Sequence, residues 1–329
     1  MRLLLSDIIS ETSDMVIVGT AVDGKDAAEQ AKKLKPDILL LDMNMGEYDG
    51  IYAVKRIMNE CPLPIVILSA VGNSDLQPIF DALEHGAVDY INKPQRGNAK
   101  IRQIETELFS KIKSACRANP KVIRPKELPV NTHVHTFDSD GIYEVIVIGA
   151  STGGPTAVEK VITTLPSNLT VPVLLVQHMP SNFIGSFVNR LNNLTPLDVV
   201  IGKKNMIPKP GQIIVAPGMS NMIITGKNRK RKIDFTDEVF REYNNPSINA
   251  LMLSVAENYG NKAIGVILTG MGKDGTKGMK QIHEKGGLTI AQSEKTCVIY
   301  GMPKSAVDNN AVARSIDIDE IGGYLVNSL

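Results

Sequence analysis

Three residues in the C-terminal half have the types and positions for acyl-group chemistry. Ser151 stands in Gly149-Ala150-Ser151-Thr152-Gly153-Gly154-Pro155, directly after the apolar run Val145 to Ile148. That order reads as strand, glycine-rich turn and helix start, with Pro155 suited to a first helical turn. A serine there could attack a carbonyl while helix-terminal N–H groups, at the positive end of the helix dipole, stabilise the oxyanion. The plainer reading is a phosphate-binding or structural glycine turn. A base is required, and Val173-Leu174-Leu175-Val176-Gln177-His178 delivers an imidazole at the end of the next apolar run. Of the five histidines, His85, His133, His135 and His283 fall in other settings, so His178 alone is presented at a strand end. Taken singly it could be a core histidine. Asp274, in Leu268-Thr269-Gly270-Met271-Gly272-Lys273-Asp274-Gly275, could orient that imidazole, or could be an ordinary turn aspartate before glycine.

The same letters permit other enzymes. Gly149-x-Ser151-x-Gly153 matches the nucleophile elbow of α/β-hydrolases, but that fold runs Ser, Asp, His and this chain offers Ser, His, Asp. Tyr300-x-x-x-Lys304 imitates the catalytic pair of short-chain dehydrogenases. That pair must lie on one helix, whereas Gly301, Met302 and Pro303 break one. The second strand ends in Gln177-His178 rather than an acid for an adenosine ribose, and the G-x-G-x-x-G spacing is absent, which disfavours a dinucleotide site.

In the N-terminal half, Asp42, Ser69 and Lys93 each follow a short apolar run. In an open parallel sheet, chemistry collects beyond the C-terminal ends of strands. A phosphorylated aspartate needs a cation and a hydroxyl beside it, which Lys93 and Ser69 could supply. Alternatively Asp42 caps a loop.

The elements that must position these residues are those of two parallel α/β domains. Met15 to Val18, Ile38 to Leu41 and Ile65 to Leu68 read as strands, Asp89 to Asn92 as the last of that half, and Lys25 to Leu34 as a helix between. The near-continuous apolar runs suit a sheet covered on both faces. A polar helix near Lys100 to Arg117 leads into a linker, Asn119 to Asp140, marked by three prolines. The second half shows strands at Glu144 to Ile148, Val171 to Val176, Val199 to Ile201, Ile213 to Val215 and Ala263 to Leu268. Helices fall at Thr156 to Thr164, Ile184 to Leu191, Ile248 to Tyr259 and Lys277 to Lys285.

A chain of 329 residues with 43% hydrophobic content accommodates two such cores, and a formal charge of +1 gives no global attraction to nucleic acid or anionic membrane. No run approaches a membrane span or a signal peptide, and the three scattered cysteines, Cys61, Cys116 and Cys297, read as packing residues in a reducing compartment. The expectation is a cytoplasmic protein. The basic run Lys227 to Lys232 reads as a solvated hairpin tip.

Two resemblances sharpen this. Leu41-Asp42-Met43-Asn44-Met45-Gly46-Glu47-Tyr48-Asp49-Gly50, Leu68-Ser69-Ala70 and Asn92-Lys93-Pro94 resemble the signatures of response-regulator receiver domains, over residues 1 to about 97. The resemblance implies a flavodoxin-like fold, Asp42 as phospho-acceptor, Ser69 as switch hydroxyl and Lys93 as phosphate contact, with Gly46 where the family usually has proline. Receivers also begin with a strand ending in two acids that hold Mg²⁺; both strand and acids are missing from this sequence. Their loss should open a gap of about 10 Å between the Met15 and Ile38 strands. The expectation is that Mg²⁺ serves phosphorylation only if that acidic pair exists upstream. If intact mass and the N-terminal peptide show Met1 to be the true start, the receiver should not work as a Mg²⁺-dependent phospho-acceptor.

Residues 143 to 329 resemble the chemotaxis protein-glutamate methylesterases, the CheB family. The matching segments are Gly149 to Gly154, Gln177-His178-Met179-Pro180, Val215-Ala216-Pro217-Gly218, Ile267 to Gly275 and Cys297-Val298-Ile299-Tyr300-Gly301-Met302-Pro303. The resemblance implies a doubly wound parallel-sheet domain over 142–329, after a receiver (1–97) and a helix and linker (98–141). It implies Ser151 as nucleophile, His178 as base, Asp274 as its orienter and backbone N–H groups near Thr152 and Met271 as oxyanion donors, with no cofactor for catalysis. It further implies hydrolysis of glutamyl methyl esters and deamidation of glutamines on chemotaxis receptors, with a chemotaxis histidine kinase as phosphodonor. Neither nucleic acid nor membrane insertion is expected. Tyr243-Asn244-Asn245-Pro246-Ser247-Ile248-Asn249 departs from the enteric form, which has basic residues before the proline and an aspartate last; this bears on the substrate groove and not on the triad. The alternatives are a catalytically impaired receptor-binding regulator and, less favoured because no helix-turn-helix pattern is present, a DNA-binding regulator.

Overall fold

The computed structural model describes residues 2–69, 76–93, 98–119, 143–227, 230–243 and 245–329, with most side chains of 98–107 left undescribed. The chain divides into two compact units, Met1–Glu127 and Leu128–Leu329. The linker residues 120–142, and Ala70, Pro94 and Asn244 of the motifs above, lie outside the described residues.

The first unit contains α1 (Arg2–Ser10), α2 (Gly24–Leu34), β1 (Leu39–Asp42), α3 (Gly50–Glu60), β2 (Ile65–Ser69), α4 (Gln77–Glu84), β3 (Asp89–Asn92) and α5 (Asn98–Ala115). The three strands pair in parallel in the order β1-β2-β3, with Asp42 opposite Leu68 and Ser69 opposite Asn92. Helices start where aspartates accept backbone N–H groups: Asp23 from Asp26 before α2, and Asp49 from Tyr52 before α3.

Met15 to Val18 is not a strand. Val16 is 83% and Val18 55% exposed, and among the described residues β1 pairs with β2 alone. The run is apolar, yet among the described residues it pairs with no strand. Side chains hold the neighbouring backbone instead: Arg2 and Gln30 donate to the carbonyls of Ala21 and Thr20, and Asp26 accepts from Val22 N–H. A second correction concerns α5, which the sequence grouped with the linker. Leu108, Ile112 and Ala115 are buried, and Lys111 donates to Asp89 and to the Tyr90 carbonyl, so the helix packs on the sheet of the first unit.

The second unit is built on β4 (Val145–Ala150), α6 (Gly154–Ile162), β5 (Val173–Gln177), α7 (Ser181–Leu194), β6 (Asp198–Ile201), β7 (Gln212–Val215), β8 (Asn221–Thr225), β9 (Lys232–Thr236), α8 (Ile248–Tyr259), β10 (Ala263–Ile267), α9 (Thr276–Glu284), β11 (Leu288–Gln292), α10 (Met302–Asp308), β12 (Arg314–Ile316) and α11 (Ile318–Ser328). Seven parallel strands run in the order β12-β11-β10-β4-β5-β7-β6, and β8 with β9 forms an antiparallel hairpin. The chain builds outward from β4 to β6 on one side, then returns to build from β10 to β12 on the other. The order therefore reverses between β4 and β10, and the crevice at the C-terminal ends of these two strands is where a doubly wound sheet takes its ligand.

The expected strands and helices of this unit are present with ends shifted by a few residues, and β8 with β9 forms the expected hairpin; β11 and β12 do not follow from the sequence pattern. The basic run is corrected at Arg231 alone: Lys227 and Lys230 are exposed, as expected of a hairpin tip, and Asn228 and Arg229 lie outside the described residues. Arg231 is not solvated: its guanidinium stacks 3.9 Å from the Tyr259 ring centroid, pairs with Glu144 and donates to the Asn258 carbonyl. Among the cysteines, Cys297 is buried, which pushes its thiol up, whereas Cys116 is exposed and not a packing residue.

Candidate active site

Register places the serine and histidine together. Ala150 pairs with Gln177 at the end of the β4–β5 ladder, and His178 N–H donates to the Ala150 carbonyl at 2.9 Å. On the other flank, Ser151 N–H donates to the Thr269 carbonyl beyond β10 at 3.1 Å. The turn after Ser151 needs a left-handed residue. Gly153 supplies it at φ 72°, and a Cβ there would lie 2.6 Å from Val298 Cβ. Pro155 falls in the first turn of α6, as the sequence predicts.

Ser151, His178 and Asp274 are in contact. His178 Nδ1 lies 3.2 Å from Ser151 Oγ, and Nε2 lies 2.9 Å from Asp274 Oδ2. With Asp274 ionised, Nε2 carries the proton it donates to the carboxylate, leaving the Nδ1 lone pair for the serine hydroxyl. Asp274 is 1% exposed and accepts four further bonds, from the N–H groups of Ile248 (2.7 Å), Asn249 (3.0 Å) and Gly275 (2.9 Å) and from Ser247 Oγ (3.2 Å). Ser247 caps α8, so the carboxylate sits on the helix N-terminus, where the dipole favours negative charge.

The loop after β10 closes the site. A Cβ on Gly270 would lie 2.6 Å from Ser151 Cβ, so glycine is what lets the Gly270–Met271 backbone run beside the nucleophile. The segment around Tyr300 fixes that backbone: Gly270 N–H donates to the Ile299 carbonyl and Met302 N–H to the Gly270 carbonyl. Tyr300 precedes α10 while Lys304 lies inside it and pairs with Asp308, which is not the geometry of a dehydrogenase pair.

Two contacts were not foreseen. Gln177, buried at the end of β5, donates from Nε2 to the carbonyls of both Ser151 (2.9 Å) and His178 (3.0 Å), tying the two residues to one amide. Tyr243 lies flat on the His178 ring, with centroids 3.7 Å apart and planes 11° apart. The segment from Tyr243 to Asn249 thus touches both imidazole and carboxylate, which corrects its assignment to the substrate groove alone.

In the first unit, Lys93 Nζ lies 2.5 Å from Asp42 Oδ2, Asn44 N–H donates to Asp42 Oδ1 at 3.0 Å, and Lys93 N–H donates to the carbonyl of buried Ser69. The three residues share one sheet end, as predicted. Among the described residues no group of three or more His, Cys, Asp or Glu side chains is placed to hold a metal ion.

Comparison with known proteins agrees with this geometry. Residues 146–325 match the family model of the CheB methylesterase, and residues 1–105 that of the response regulator receiver domain. A protein-glutamate methylesterase/protein-glutamine glutaminase of Archaeoglobus fulgidus is 36% identical over 331 residues, covering 100% of this chain and 95% of the relative. Its counterpart in Lawsonia intracellularis is also 36% identical, covering 100% of this chain and 96% of the relative. Among solved structures, the CheB methylesterase catalytic domain of Thermotoga maritima is similar to 57% of this chain and 99% of its own, with 34% identity and a TM-score of 0.53. With its second unit spanned by the methylesterase model and full-length relatives above 30% identity, this chain belongs to the CheB methylesterase family and carries a receiver domain ahead of the methylesterase domain.

Proposed function

We propose that the second unit hydrolyses glutamyl methyl esters, and deamidates glutamines, on chemotaxis receptors, with Ser151, His178 and Asp274 as the catalytic groups. The observation that carries this is the continuous Ser151–His178–Asp274 chain at the point where strand order reverses. As Ser151 Oγ attacks the side-chain carbonyl carbon, its proton passes to His178 Nδ1. The resulting imidazolium is stabilised by Asp274 through Nε2–H. The carbonyl oxygen becomes an oxyanion, for which backbone N–H groups at Thr152 and Met271 are the proposed donors; the Gly270 approach to Ser151 supports the second. Collapse breaks the bond to methanol, or to ammonia from an amide, and the leaving group takes the proton from Nδ1. Water then gives a proton to Nδ1 and attacks the acyl-serine, and collapse breaks the ester bond as Ser151 Oγ takes that proton back from Nδ1, releasing glutamate.

In this reading the first unit regulates the second, with Asp42 phosphorylated by a chemotaxis histidine kinase and Lys93 and Ser69 contacting the phosphoryl group. No step above uses Mg²⁺. No helix among the described residues is long and apolar enough to cross a membrane, in keeping with a proposed cytoplasmic enzyme acting on the receptors from outside the bilayer. Nothing in the site's geometry favours a non-catalytic regulator. The test is methanol release from methylated receptor membranes by the full chain. Wild type should release methanol and Ser151→Ala should not; equal rates would sink the assignment.

A further inference from the structure

His178 is fixed at two atoms, Nδ1 towards Ser151 and Nε2 towards Asp274. Two such contacts leave the ring free to tilt about the line joining them. Tyr243 removes that freedom by lying against the face of the ring, 3.7 Å between centroids and 11° between planes. With this cover the His178 side chain is only 4% exposed.

The fold braces Tyr243 on both sides. Before it, Glu242 pairs with Lys277 of α9 at 2.7 Å. After it, Asn221 Oδ1, from the buried start of β8, accepts the N–H groups of Asn245 (3.1 Å) and Ser247 (2.7 Å). Asn221 Nδ2 also donates to the Glu238 carbonyl at 3.0 Å, so one side chain pins the segment at three points. Tyr243 is 42% exposed, yet the backbone carrying it is held to α9, to β8 and, through Ser247, Ile248 and Asn249, to Asp274 itself.

We propose that Tyr243 is a positioning residue for the catalytic base: its ring holds the imidazole plane and its π face stabilises the imidazolium formed when Ser151 attacks. The second effect is selective for the transition state. The face of a tyrosine ring is electron-rich and attracts a cation within about 6 Å, whereas the resting imidazole is neutral. The attraction grows only as the proton arrives at Nδ1, so it raises kcat rather than tightening substrate binding. The ring, not the hydroxyl, provides both effects.

This inference rests on the proposed roles of Ser151 and His178, and the experiment separates the two. Methanol release from methylated receptor membranes is measured with the full chain as wild type, Tyr243→Phe, Tyr243→Leu and Ser151→Ala, each first shown to have the wild-type unfolding midpoint. Tyr243→Phe should keep kcat within about twofold, while Tyr243→Leu, which fills space without a π face, should lose about tenfold in kcat with KM nearly unchanged. Wild-type kcat in Tyr243→Leu would overturn the proposal, and so would a loss in Tyr243→Phe as large as in Tyr243→Leu, or an effect on KM alone. Full activity in Ser151→Ala would instead overturn the nucleophile assignment, and the role of Tyr243 with it.

Discussion

His178 turns Nε2 towards Asp274 Oδ2, at 2.9 Å, and Nδ1 towards Ser151 Oγ, at 3.2 Å. In the proposed mechanism the task of Asp274 is to hold the Nε2–H tautomer, and its surroundings suit that task. Every bond that Asp274 makes is accepted, from three backbone N–H groups, the Ser247 hydroxyl and the imidazole.

Asp274→Asn tests this directly. The amide NH₂ must point at groups that are themselves donors, so it either opposes α8 and Gly275 or faces Nε2 and forces the proton onto Nδ1. In the second case the lone pair that should receive the serine proton is gone. The expected result is a fall in kcat of about 10⁴-fold with KM little changed, measured by methanol release. A fall of less than about tenfold would mean that the tautomer is not set by Asp274.

Gln177→Met tests how the nucleophile and base are kept in register. Methionine approximates the shape but cannot donate to the Ser151 and His178 carbonyls, which Gln177 Nε2 bridges at 2.9 and 3.0 Å. The Ser151 carbonyl keeps a bond from Gly154 N–H at 2.7 Å, so the loss falls chiefly on the His178 end. The variant should be destabilised by about 1–3 kcal/mol in denaturant unfolding. It should also lose about 10²-fold in kcat as the imidazole drifts from the serine. Gln177→Glu should be worse, because it sets a carboxylate against two carbonyl oxygens. A Gln177→Met enzyme with wild-type kcat would show that the strand ladder suffices.

Much of this site is written in the sequence because its three main residues follow strands buried on both faces, which read as unbroken apolar runs. Ser151 and His178 directly follow two of them, Asp274 lies in the loop after a third, and β10, β4 and β5 are adjacent. Elements that break that pattern were hidden. β11 carries buried Thr289 and Gln292, and β12 is the short edge Arg314–Ile316. Met15 to Val18 shows the converse: the residues have a strand pattern but lie outside the sheet, with Val16 and Val18 exposed. Sequence spacing cannot show which imidazole nitrogen faces which neighbour. Nor does it show that Tyr243 folds back over His178, since that contact depends on Asn221 and Lys277, residues on two other elements.

The brace around Tyr243 should respond to pH through Glu242. The hydrogen bond from Lys277 holds the Glu242 carboxyl below the usual value of 4.5, against desolvation and the like charge of Asp274, which act the other way. A carboxyl depressed in the folded state stabilises that state above its unfolded pKa, and the contribution disappears as pH falls through the lower folded value. Lys277 is two-thirds exposed, so water screens the pair and its contribution is at most about 1 kcal/mol. Glu242→Gln should therefore lower Tm by about 1–3 °C at pH 7, and the difference from wild type should close under acid conditions below pH 4.5. Because only the difference is read, other carboxyls that titrate over the same range cancel. A difference that persists unchanged into acid would show that the Glu242 carboxylate charge does not hold this segment.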